Sequence, residues 1–433
     1  MRPASLTTCE PVLLGDLDLD TRIPSLTPQS GCDLGQEARL LARLHTRPVG
    51  EVRLSVPPQG LGAEEVAASV WEQVGDAVAA HLRGDGQPVP TLLPTAGLAR
   101  DHDPACLSSR TRLTTSITVV VATRDRTGSL LRTLCSLARV DYPAFDVVVV
   151  DSAPSSAETE EALAAKGNWP FALRYAATPV PGLAWAHNTG LTWSNGEIVA
   201  FTDDDVEVDR HWLAALAEAF ADPEVGCVTG LILPAELQTP AQLWVEQAGG
   251  FCRGFERRQF SLRQPPDDTA FPFTAGRFGS GANMAFRTDW LRGAGGFDPA
   301  TGAGSPARGG DDLHAFLRVI LDDGTLVYEP AAVVRHWHRR QYEGLRRQAF
   351  GYGVGLGAYL SASVRERPSL LGPMARRTAP ALRHLLDSGS VKNKDKEPDF
   401  PRELTWLERA GLLAGPFAYG VSRWRYSRLV ARS

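Results

Sequence analysis

Between Ile117 and Asp205 the sequence alternates between short apolar runs and segments with helical spacing, and this feature restricts its fold most. Ile117–Ala122 is a continuous β-branched run, typical of a strand buried on both faces. Similar runs are Phe145–Val150 and Ile198–Thr202, and amphipathic helical patterns lie between the runs. Strand, helix and strand at this spacing predict an α/β fold with a mainly parallel sheet flanked by helices.

Polar residues follow three of the predicted strands, namely Thr123–Arg126, Asp151 with Ser152, and Asp203–Asp205. Ligands of parallel α/β sheets bind beyond the carboxyl ends of the strands, so we expect these residues to share one site. The three adjacent aspartates would repel one another unless a cation held them. Carboxylate oxygens suit Mg²⁺ or Mn²⁺, which keep open positions for substrate phosphates.

The alternative interpretation of these aspartates is a solvated acidic turn before the helix that begins near His211. A fourth aspartate, Asp209, lies four residues beyond the last of the three. We expect Asp209 to cap that helix, because an acidic side chain at a helix N-terminus satisfies free N–H groups and the helix dipole.

The pattern of the first 110 residues predicts a small α+β accessory module that ends in a linker. Gln36–His45 has helical spacing, Gly50–Val56 alternates like a strand, and Ala63–Leu82 has the pattern of an amphipathic helix. No catalytic constellation occurs in this part of the sequence. We therefore expect a structural cap, with docking or acceptor binding as the alternative.

Residues 111–340 are predicted to form the α/β domain, and residues 341–433 a basic, helical C-terminal region. Gly344–Val364 has the length of one helix but contains many glycines, so close packing or a membrane surface would have to stabilise it. VKNKDKEPDF is predicted to be a charged loop.

Charge is distributed unevenly along the 433 residues, whose net charge is −5. The segment from Arg335 to the end carries a balance of +11, and the part before it carries −16. Such a basic region indicates contact with phosphates, in lipid headgroups or in a nucleic acid. We expect a peripheral membrane contact and no nucleic-acid partner.

Cysteine usage and hydropathy indicate the compartment. The six cysteines are scattered without a CxxC pair, at Cys9, Cys32, Cys106, Cys135, Cys227 and Cys252. They predict reduced thiols. The first residues lack the pattern of a signal peptide, and no apolar run reaches the roughly 18 residues that span a bilayer. We therefore expect a cytoplasmic protein, peripheral at most to the inner face of a membrane.

A series of motifs resembles the family 2 glycosyltransferases of the GT-A fold. In chain order they are VVVATRDR, VVVVDSAPS, PGLAWAHNTGL, FTDDDVEVD, GSGANMAF, GGDDLHAF and VYEPAAVVRHWHRR. The resemblance covers roughly Ile117 to Arg340, and its specificity lies in the order and spacing of the motifs. It implies a nucleotide-sugar donor, a divalent cation and an acceptor that is a lipid, a polysaccharide or another glycan.

The resemblance implies a role for each aspartate of the triplet. Asp203 and Asp205 would ligate a cation that bridges the donor's two phosphates, and Asp204 would contact the donor. His336 and His338 lie on alternate positions of an extended segment and so share a face. We assign His338 as a further metal ligand, with packing or surface exposure as the alternative.

The resemblance assigns the donor nucleotide to the first two strand ends and the third motif, namely to Thr123, Arg124, Asp125, Asp151, His187 and Asn188. Ser152 stands where the family commonly has a second aspartate, and His187 where it usually has arginine. The first departure leaves the base open, so a UDP-sugar is expected and a GDP- or dTDP-sugar is the alternative. A neutral imidazole is also a weaker phosphate partner than arginine.

GGDDLHAF matches the motif that supplies the family's catalytic base. Asp312 stands at the base position, and Asp311 where glutamate is commoner. Inverting transfer needs a carboxylate to remove the acceptor's proton, and two adjacent carboxylates raise the pKa of one toward a useful value. The alternative is a pair of N-terminal helix acids without a catalytic function.

Two other functions compete with an inverting, hexosyltransferase-type enzyme. A nucleotidyltransferase or pyrophosphorylase would carry a Gly-rich loop with Arg or Lys after the first strand, and ATRDRTGS matches it poorly. A non-catalytic carbohydrate- or membrane-binding protein on a transferase scaffold would tolerate the loss of Asp205 or Asp312, and both are present.

Overall fold

The computed structural model describes residues 11–30, 35–98, 104–108, 113–377 and 400–431. Cys9, Cys32 and all but the last residue of VKNKDKEPDF lie outside these ranges. The four described cysteines form no disulfide. Within the described ranges, no helix combines the length and the apolar character needed to cross a membrane.

The N-terminal part of the chain forms a three-stranded sheet covered by one long helix. Its elements are β1 (Leu13–Asp18), β2 (Gln36–Leu44), β3 (Arg47–Val56), helix α1 (Ala63–Gly84) and the short helix α2 (Ala105–Ser108). The central strand β2 is parallel to β1 and antiparallel to β3. The strand and the amphipathic helix predicted over Gly50–Val56 and Ala63–Leu82 are confirmed.

The helix predicted over Gln36–His45 is wrong, because this segment forms strand β2. One face of the strand, including Leu40, packs into the core beneath α1. On the other face Leu41 packs against Leu231 and Val333 of the larger sheet. Since both faces are buried, apolar residues do not alternate along the strand, and the run of Ala, Leu and Arg has the spacing of a helix.

A nine-stranded sheet forms the centre of the molecule. Its strands are β4 (Ile117–Thr123), β5 (Phe145–Ser152), β6 (Ala172–Thr178), β7 (Ile198–Asp203), β8 (Val206–Val208), β9 (Val225–Pro234), β10 (Arg258–Phe260), β11 (Asn283–Arg287) and β12 (Thr325–His336). The order is β10-β12-β9-β11-β7-β4-β5-β6, and β8 pairs with β12. The pairs β7–β4, β4–β5, β5–β6 and β9–β12 are parallel, so the predicted mainly parallel α/β sheet is confirmed.

Helices cover both faces of this sheet. They are α3 (Thr127–Leu137), α4 (Glu158–Lys166), α5 (Leu183–Trp193), α6 (Trp212–Ala219), α7 (Pro240–Gln247), α8 (Thr288–Gly293) and α9 (Asp311–Leu321), with a 3₁₀ turn at Ala275–Arg277. Leu134 and Trp212 pack on one face, and Leu191 and Phe316 on the other. Alternate side chains of β4 enter the two cores, as expected for a strand buried on both faces.

Two long helices follow the sheet, α10 (Tyr342–Glu366) and α11 (Arg402–Val430), with a 3₁₀ turn at Pro368–Leu370 between them. Glycines allow these helices to pack closely. A Cβ atom on Gly357 would lie 2.5 Å from the carbonyl oxygen of Leu412, and one on Gly415 would lie 2.5 Å from Gly357 Cα. The helix predicted over Gly344–Val364 is confirmed, and close packing explains its glycines.

Candidate functional site

A cleft of about 2250 Å³ opens at the carboxyl edge of the large sheet, where β4, β5 and β7 end. Thr123, Ser152 and Asp203 line it from these strand ends, and Asp312 lines it from the start of α9. The common edge therefore brings together the predicted strand-end residues and the acidic pair that lies about a hundred positions later.

Neighbouring side chains hold two members of the aspartate triplet in fixed positions. Thr123 Oγ1 donates to Asp204 Oδ2 at 2.7 Å. The guanidinium of Arg126 donates to Asp204 Oδ1 at 2.5 Å and to Asp205 Oδ2 at 2.8 Å. On its other side, Asp205 Oδ1 lies 3.3 Å from His336 Nε2. Asp204 thus accepts from two side chains, and Asp205 lies between two basic groups.

Asp203, Asp205 and His336 form a candidate cation site. One ligand atom from each residue lies within 4.8 Å of the other two. Two carboxylate oxygens and an imidazole nitrogen are donors that suit Mn²⁺ and also Mg²⁺. The residues present therefore fit the cation that the sequence predicts.

Burial and like charge oppose ionisation in the triplet. Burial and the neighbouring Asp205 raise the pKa of Asp203, and burial raises the pKa of Asp204 to about 6 against the effect of Arg126. Burial also opposes ionisation of Asp205, but His336 and Arg126 outweigh it and lower the pKa of that carboxyl. Two of the three carboxyls therefore resist ionisation, and a bound cation would favour their charged form.

His338 does not face the aspartates, contrary to the assignment from the sequence. Its Nε2 lies 2.9 Å from Glu246 Oε1, and its Nδ1 lies 3.0 Å from Nδ1 of His336. His336 presents its other nitrogen to Asp205. His336 is the last residue of β12 and lines the cleft, whereas His338 lies beyond the strand and contacts the other ring nitrogen of His336.

The acidic pair lies at the first turn of α9. Asp312 Oδ2 accepts a hydrogen bond from the Gly281 backbone N–H at 2.8 Å, and Oδ1 accepts one from Leu313 N–H at 2.8 Å. Burial, and then the neighbouring charge of Asp311, raise the pKa of Asp312 to about 6. Asp311 is buried, and its Oδ2 lies 3.3 Å from His187 Nδ1. Of the two side chains, Asp312 is the more exposed.

The residues predicted for the nucleotide occupy different depths. Arg124 lines the cleft, with half of its side chain exposed, and its Nε lies 3.8 Å from Asp125. Asp125 accepts two hydrogen bonds from Ser155 and adopts a positive φ of 52°. Asp151 is fully buried at the end of β5, where burial raises its pKa and Tyr175 lies at hydrogen-bond distance.

The third motif supports the site from within the core. The Asn188 side chain exchanges hydrogen bonds with the Phe297 backbone, at 2.9 Å to its carbonyl and 2.8 Å from its N–H. His187 packs against Phe201 and Phe297 and contacts Asp311. We therefore correct the assignment of Asn188 to the donor, because its amide holds the loop that leads to α9.

Two groups at the site had no individual role assigned from the sequence. Arg126 binds Asp204 and Asp205, and Glu246 of α7 completes the chain from His336 through His338. Arg126 follows β4 in the same motif as Arg124, so its position was available as a signal. Glu246 lies in a segment without a recognisable motif. Asp209 does not cap the following helix as predicted: His211 is the N-cap residue of α6, and Asp209 Oδ1 accepts the His211 N–H at 2.8 Å in the turn before the helix.

Known proteins share parts of this sequence. Residues 118–293 match the profile described as Glycosyl transferase family 2. A pre-mycofactocin glycosyltransferase of Mycobacterium tuberculosis is 29% identical over 267 residues, 60% of this chain and 50% of that protein. A glucosyl-dolichyl phosphate glucuronosyltransferase of Haloferax volcanii is 22% identical over 182 residues, 40% of this chain and 54% of that protein. The chain spans about half the length of these curated relatives.

Solved structures are similar at a lower level. A mannosyltransferase of Pyrobaculum calidifontis in complex with GDP-Man and Mn²⁺ is 23% identical with a TM-score of 0.43, over 74% of this chain and 76% of that one. Residues 1–349 of TarS from S. aureus are 15% identical with a TM-score of 0.37, over 72% of this chain and 91% of that one.

The mainly parallel sheet, the acidic residues at its carboxyl edge and the acidic start of α9 define a glycosyltransferase domain of the GT-A type. Residues 118–293, which match the profile of glycosyl transferase family 2, form the core of this domain. The family and the fold expected from the motif order are thereby confirmed.

Proposed function

We propose that this protein is a metal-dependent, inverting glycosyltransferase that moves a sugar from a nucleoside-diphosphate sugar to an acceptor hydroxyl. One observation carries the proposal: the candidate cation ligands Asp203, Asp205 and His336 line the same cleft as the Asp312 carboxylate, which accepts a backbone hydrogen bond from Gly281. A leaving-group site and a base in one cleft are the two elements that this reaction needs.

Asp203, Asp205 and His336 would hold the divalent cation, Mn²⁺ or Mg²⁺. When bound, the cation would neutralise charge that develops on the departing nucleoside diphosphate. Arg126 contacts Asp204 and Asp205, and the Arg339 guanidinium lies 3.9 Å from Asp205, so both are close enough to contact the diphosphate. The chain thus supplies fixed positive charge on the leaving-group side.

Asp312 is the proposed general base. The backbone N–H groups of Gly281 and Leu313 fix its carboxylate, so it can take the acceptor's proton without reorienting. A pKa near 6 keeps it ionised at neutral pH and basic enough to accept a proton. Attack from the face opposite the leaving phosphate inverts the anomeric carbon. Asp311 lies beside Asp312 in the first turn of α9, with its Oδ2 3.3 Å from His187 Nδ1.

The nucleoside would bind across the ends of β4 and β5. Arg124 and Ser152 line the cleft there, and Asp125 and the buried Asp151 are their neighbours in the chain. Ser152 replaces a carboxylate with a hydroxyl that both donates and accepts hydrogen bonds. A UDP-sugar is our first expectation for the donor, and GDP- and dTDP-sugars are the alternatives.

We also propose peripheral contact between helix α11 and an anionic membrane, which would bring a lipid or lipid-linked acceptor to the cleft. Four large apolar side chains form one stripe on the helix, and their exposed fractions are 67% for Trp406, 83% for Leu413, 78% for Phe417 and 54% for Trp424. Arg428 packs on Trp424 beside the stripe. An exposed apolar stripe bordered by arginines suits a lipid surface.

Donor turnover by variants of the two carboxylates tests the proposal. In Asp312→Asn and Asp205→Asn, we expect hydrolysis or transfer of the accepted nucleotide-sugar to fall by about 10²- to 10⁴-fold, with an unchanged circular dichroism spectrum. Asp289→Asn, on the exposed side of α8, is the matched control and should retain activity. Near wild-type turnover in Asp312→Asn would contradict the proposed base, and nucleotidyl transfer by that variant would support the competing enzyme class.

A further inference from the structure

The N-terminal sheet holds a second group of metal-ligating side chains, far from the cleft in sequence and outside the function proposed above. We call it the His–Asp–Cys cluster; its members are His45, His81, Asp85 and Cys106. His45 lies in the turn between β2 and β3, His81 and Asp85 at the C-terminal end of α1, and Cys106 in α2. Three separate elements thus contribute to it.

The four ligand atoms lie at close mutual distances. His45 Nδ1 is 2.7 Å from Asp85 Oδ2 and 3.2 Å from His81 Nε2. Cys106 Sγ is 2.9 Å from Asp85 Oδ2 and 3.6 Å from each of the two imidazole nitrogens. His81 Nε2 lies 3.2 Å from Asp85 Oδ2. All six pairwise distances are therefore between 2.7 and 3.6 Å.

These distances are close to those of a tetrahedral zinc site. Zinc bonds of about 2.0–2.3 Å to nitrogen, oxygen and sulfur place the ligand atoms roughly 3.3–3.7 Å from one another. The donor set of two imidazoles, one thiolate and one carboxylate is also one that zinc binds. A slight expansion of the shorter contacts, most of which involve Asp85, would accommodate the ion.

A purely hydrogen-bonded network explains the arrangement less well. The imidazole nitrogens of His45 and His81 face each other as well as the same carboxylate oxygen. A Cys–His–Asp catalytic relay would place a histidine between the other two groups, but here the thiol contacts the carboxylate directly at 2.9 Å. Convergence of all four atoms on one point is the geometry of metal ligation.

Further contacts hold the ligands in place. Asp20 lies behind His45, with its Oδ1 3.7 Å from the ring's Nε2 and its Oδ2 accepting the His45 backbone N–H at 3.0 Å. The Cys106 backbone N–H donates to Asp85 Oδ1 at 3.0 Å. A carboxylate behind a ligating histidine is the usual means of fixing its tautomer and ring orientation.

We propose that the His–Asp–Cys cluster is a structural zinc site. Four protein ligands complete a tetrahedron and leave no open position for a substrate, which distinguishes a structural from a catalytic zinc ion. The ion would join α1 and α2 to the β2–β3 turn. Arg47, two residues beyond His45, binds Glu218 of α6 at 2.6 Å, so the site would also stabilise the contact between the N-terminal sheet and the large sheet.

Cobalt substitution in the full-length protein tests this proposal. We expect metal-free protein to bind one equivalent of Co²⁺ with tetrahedral d–d bands and a sulfur-to-cobalt charge-transfer band, and Zn²⁺ to displace it. The charge-transfer band identifies a thiolate ligand, so it separates this site from the Asp203, Asp205 and His336 site, which contains no cysteine. The Asp205→Asn variant should keep the band at full intensity.

Cysteine and histidine variants locate the ligands. Cys106→Ser should abolish the charge-transfer band, and His81→Gln should reduce bound zinc, measured by elemental analysis, at least fivefold. Cys135→Ser, in α3, is the matched control and should keep both signals. If folded wild-type protein binds no cobalt with a thiolate band, or if Cys106→Ser retains that band, the proposal is overturned. The wild-type spectrum decides even if a variant fails to fold.

Discussion

The Asp205 carboxylate lies between two basic groups, Arg126 on one side and His336 on the other. Burial opposes its ionisation, but both interactions outweigh burial and lower its pKa. For the neighbouring Asp203, burial and the charge of Asp205 outweigh the effect of His336, and its pKa is raised. A cation bound between these two carboxylates would offset the repulsion between their charges and favour ionisation of Asp203. The arrangement of Asp203, Asp205 and His336 therefore supports a metal site more strongly than three adjacent aspartates in the sequence do.

The raised pKa of Asp312 predicts an acidic limb in the pH profile of the reaction. Burial and Asp311 raise this pKa to about 6, and the base works only as the carboxylate. Protonation therefore removes activity, so kcat/KM should fall about tenfold for each pH unit below about 6 and reach a plateau above it. Steady-state kinetics from about pH 4.5 to 8.5, with the fold monitored at each pH, measure this. A flat profile below pH 6 would count against Asp312 as the base.

The chain from His336 through His338 to Glu246 predicts a remote effect on metal affinity. If His336 Nε2 binds the cation, its Nδ1–H donates a hydrogen bond to His338 Nδ1, and the Nε2–H of His338 then donates one to Glu246. We expect Glu246→Gln to weaken Mn²⁺ binding about 10- to 100-fold, as measured by calorimetry. Glu256→Gln, at an exposed position of the following segment, is the control. Equal Mn²⁺ affinities in the two variants would exclude the supporting role.

Residue-level prediction was limited by orientation and by distance along the chain. The HxH pattern placed two histidines on one segment, but which imidazole reaches Asp205 depends on the path of the chain after β12. Asn188 matches a family motif and nevertheless directs its amide to the Phe297 backbone. Sequence patterns identify the type of group at a site, and long-range contacts decide which atom faces the ligand.

At the scale of elements, too, predictions were correct where local sequence patterns determine the structure and wrong where long-range contacts do. Strands β4, β5 and β7 were predictable because a short, β-branched apolar run with a polar end fits few structures besides a buried strand. Strand β2 was not predictable in this way. Its second face is buried against Leu231 and Val333, which lie far from it in the sequence. Its Ala- and Leu-rich composition favours a helix locally, and pairing with β1 and β3 overrides that preference.

The close packing of α10 and α11 predicts opposite effects for two glycine substitutions on α11. Gly415→Ala would bring a Cβ within 2.5 Å of Gly357 Cα, so we expect it to lower the free energy of unfolding by about 1–3 kcal/mol. Gly420→Ala meets no atom within 4 Å and should raise it by up to about 1 kcal/mol, since alanine favours the helix. Urea denaturation measures both values, and equal effects would contradict the packing described.

The exposed stripe of α11 predicts binding to anionic vesicles. Replacing Leu413 and Phe417 together with serine should abolish co-sedimentation with phosphatidylserine-containing vesicles, because these side chains are 83% and 78% exposed and would enter the lipid. Arg139→Ser and Arg210→Ser together, on the body of the protein, are the control. Binding should weaken as salt is raised. Undiminished sedimentation of the α11 variant would contradict membrane contact through this stripe.

At the scale of the whole molecule, the N-terminal sheet is fixed to the large sheet by ion pairs as well as apolar contacts. Arg43 binds Asp209 at 2.7 Å, and Arg335 binds Asp16 at 2.9 Å. Asp209 therefore binds the turn before α6 and the N-terminal sheet at the same time. Asp209 directly follows β8, and His336 ends β12, the strand with which β8 pairs. The contacts that fix the N-terminal sheet are therefore next to one side of the candidate cation site.

The central claim, that the carboxyl edge of the large sheet binds a nucleoside diphosphate through a cation, is tested most directly by thermal shift. Melting temperatures would be measured with UDP, GDP or dTDP, each with and without Mn²⁺, in wild type, Asp205→Asn and the control Asp289→Asn. We predict that one nucleotide raises the melting temperature of wild type and control by several degrees only when Mn²⁺ is present, and that Asp205→Asn loses this shift. A nucleotide shift independent of Mn²⁺, or one retained by Asp205→Asn, would contradict the claim.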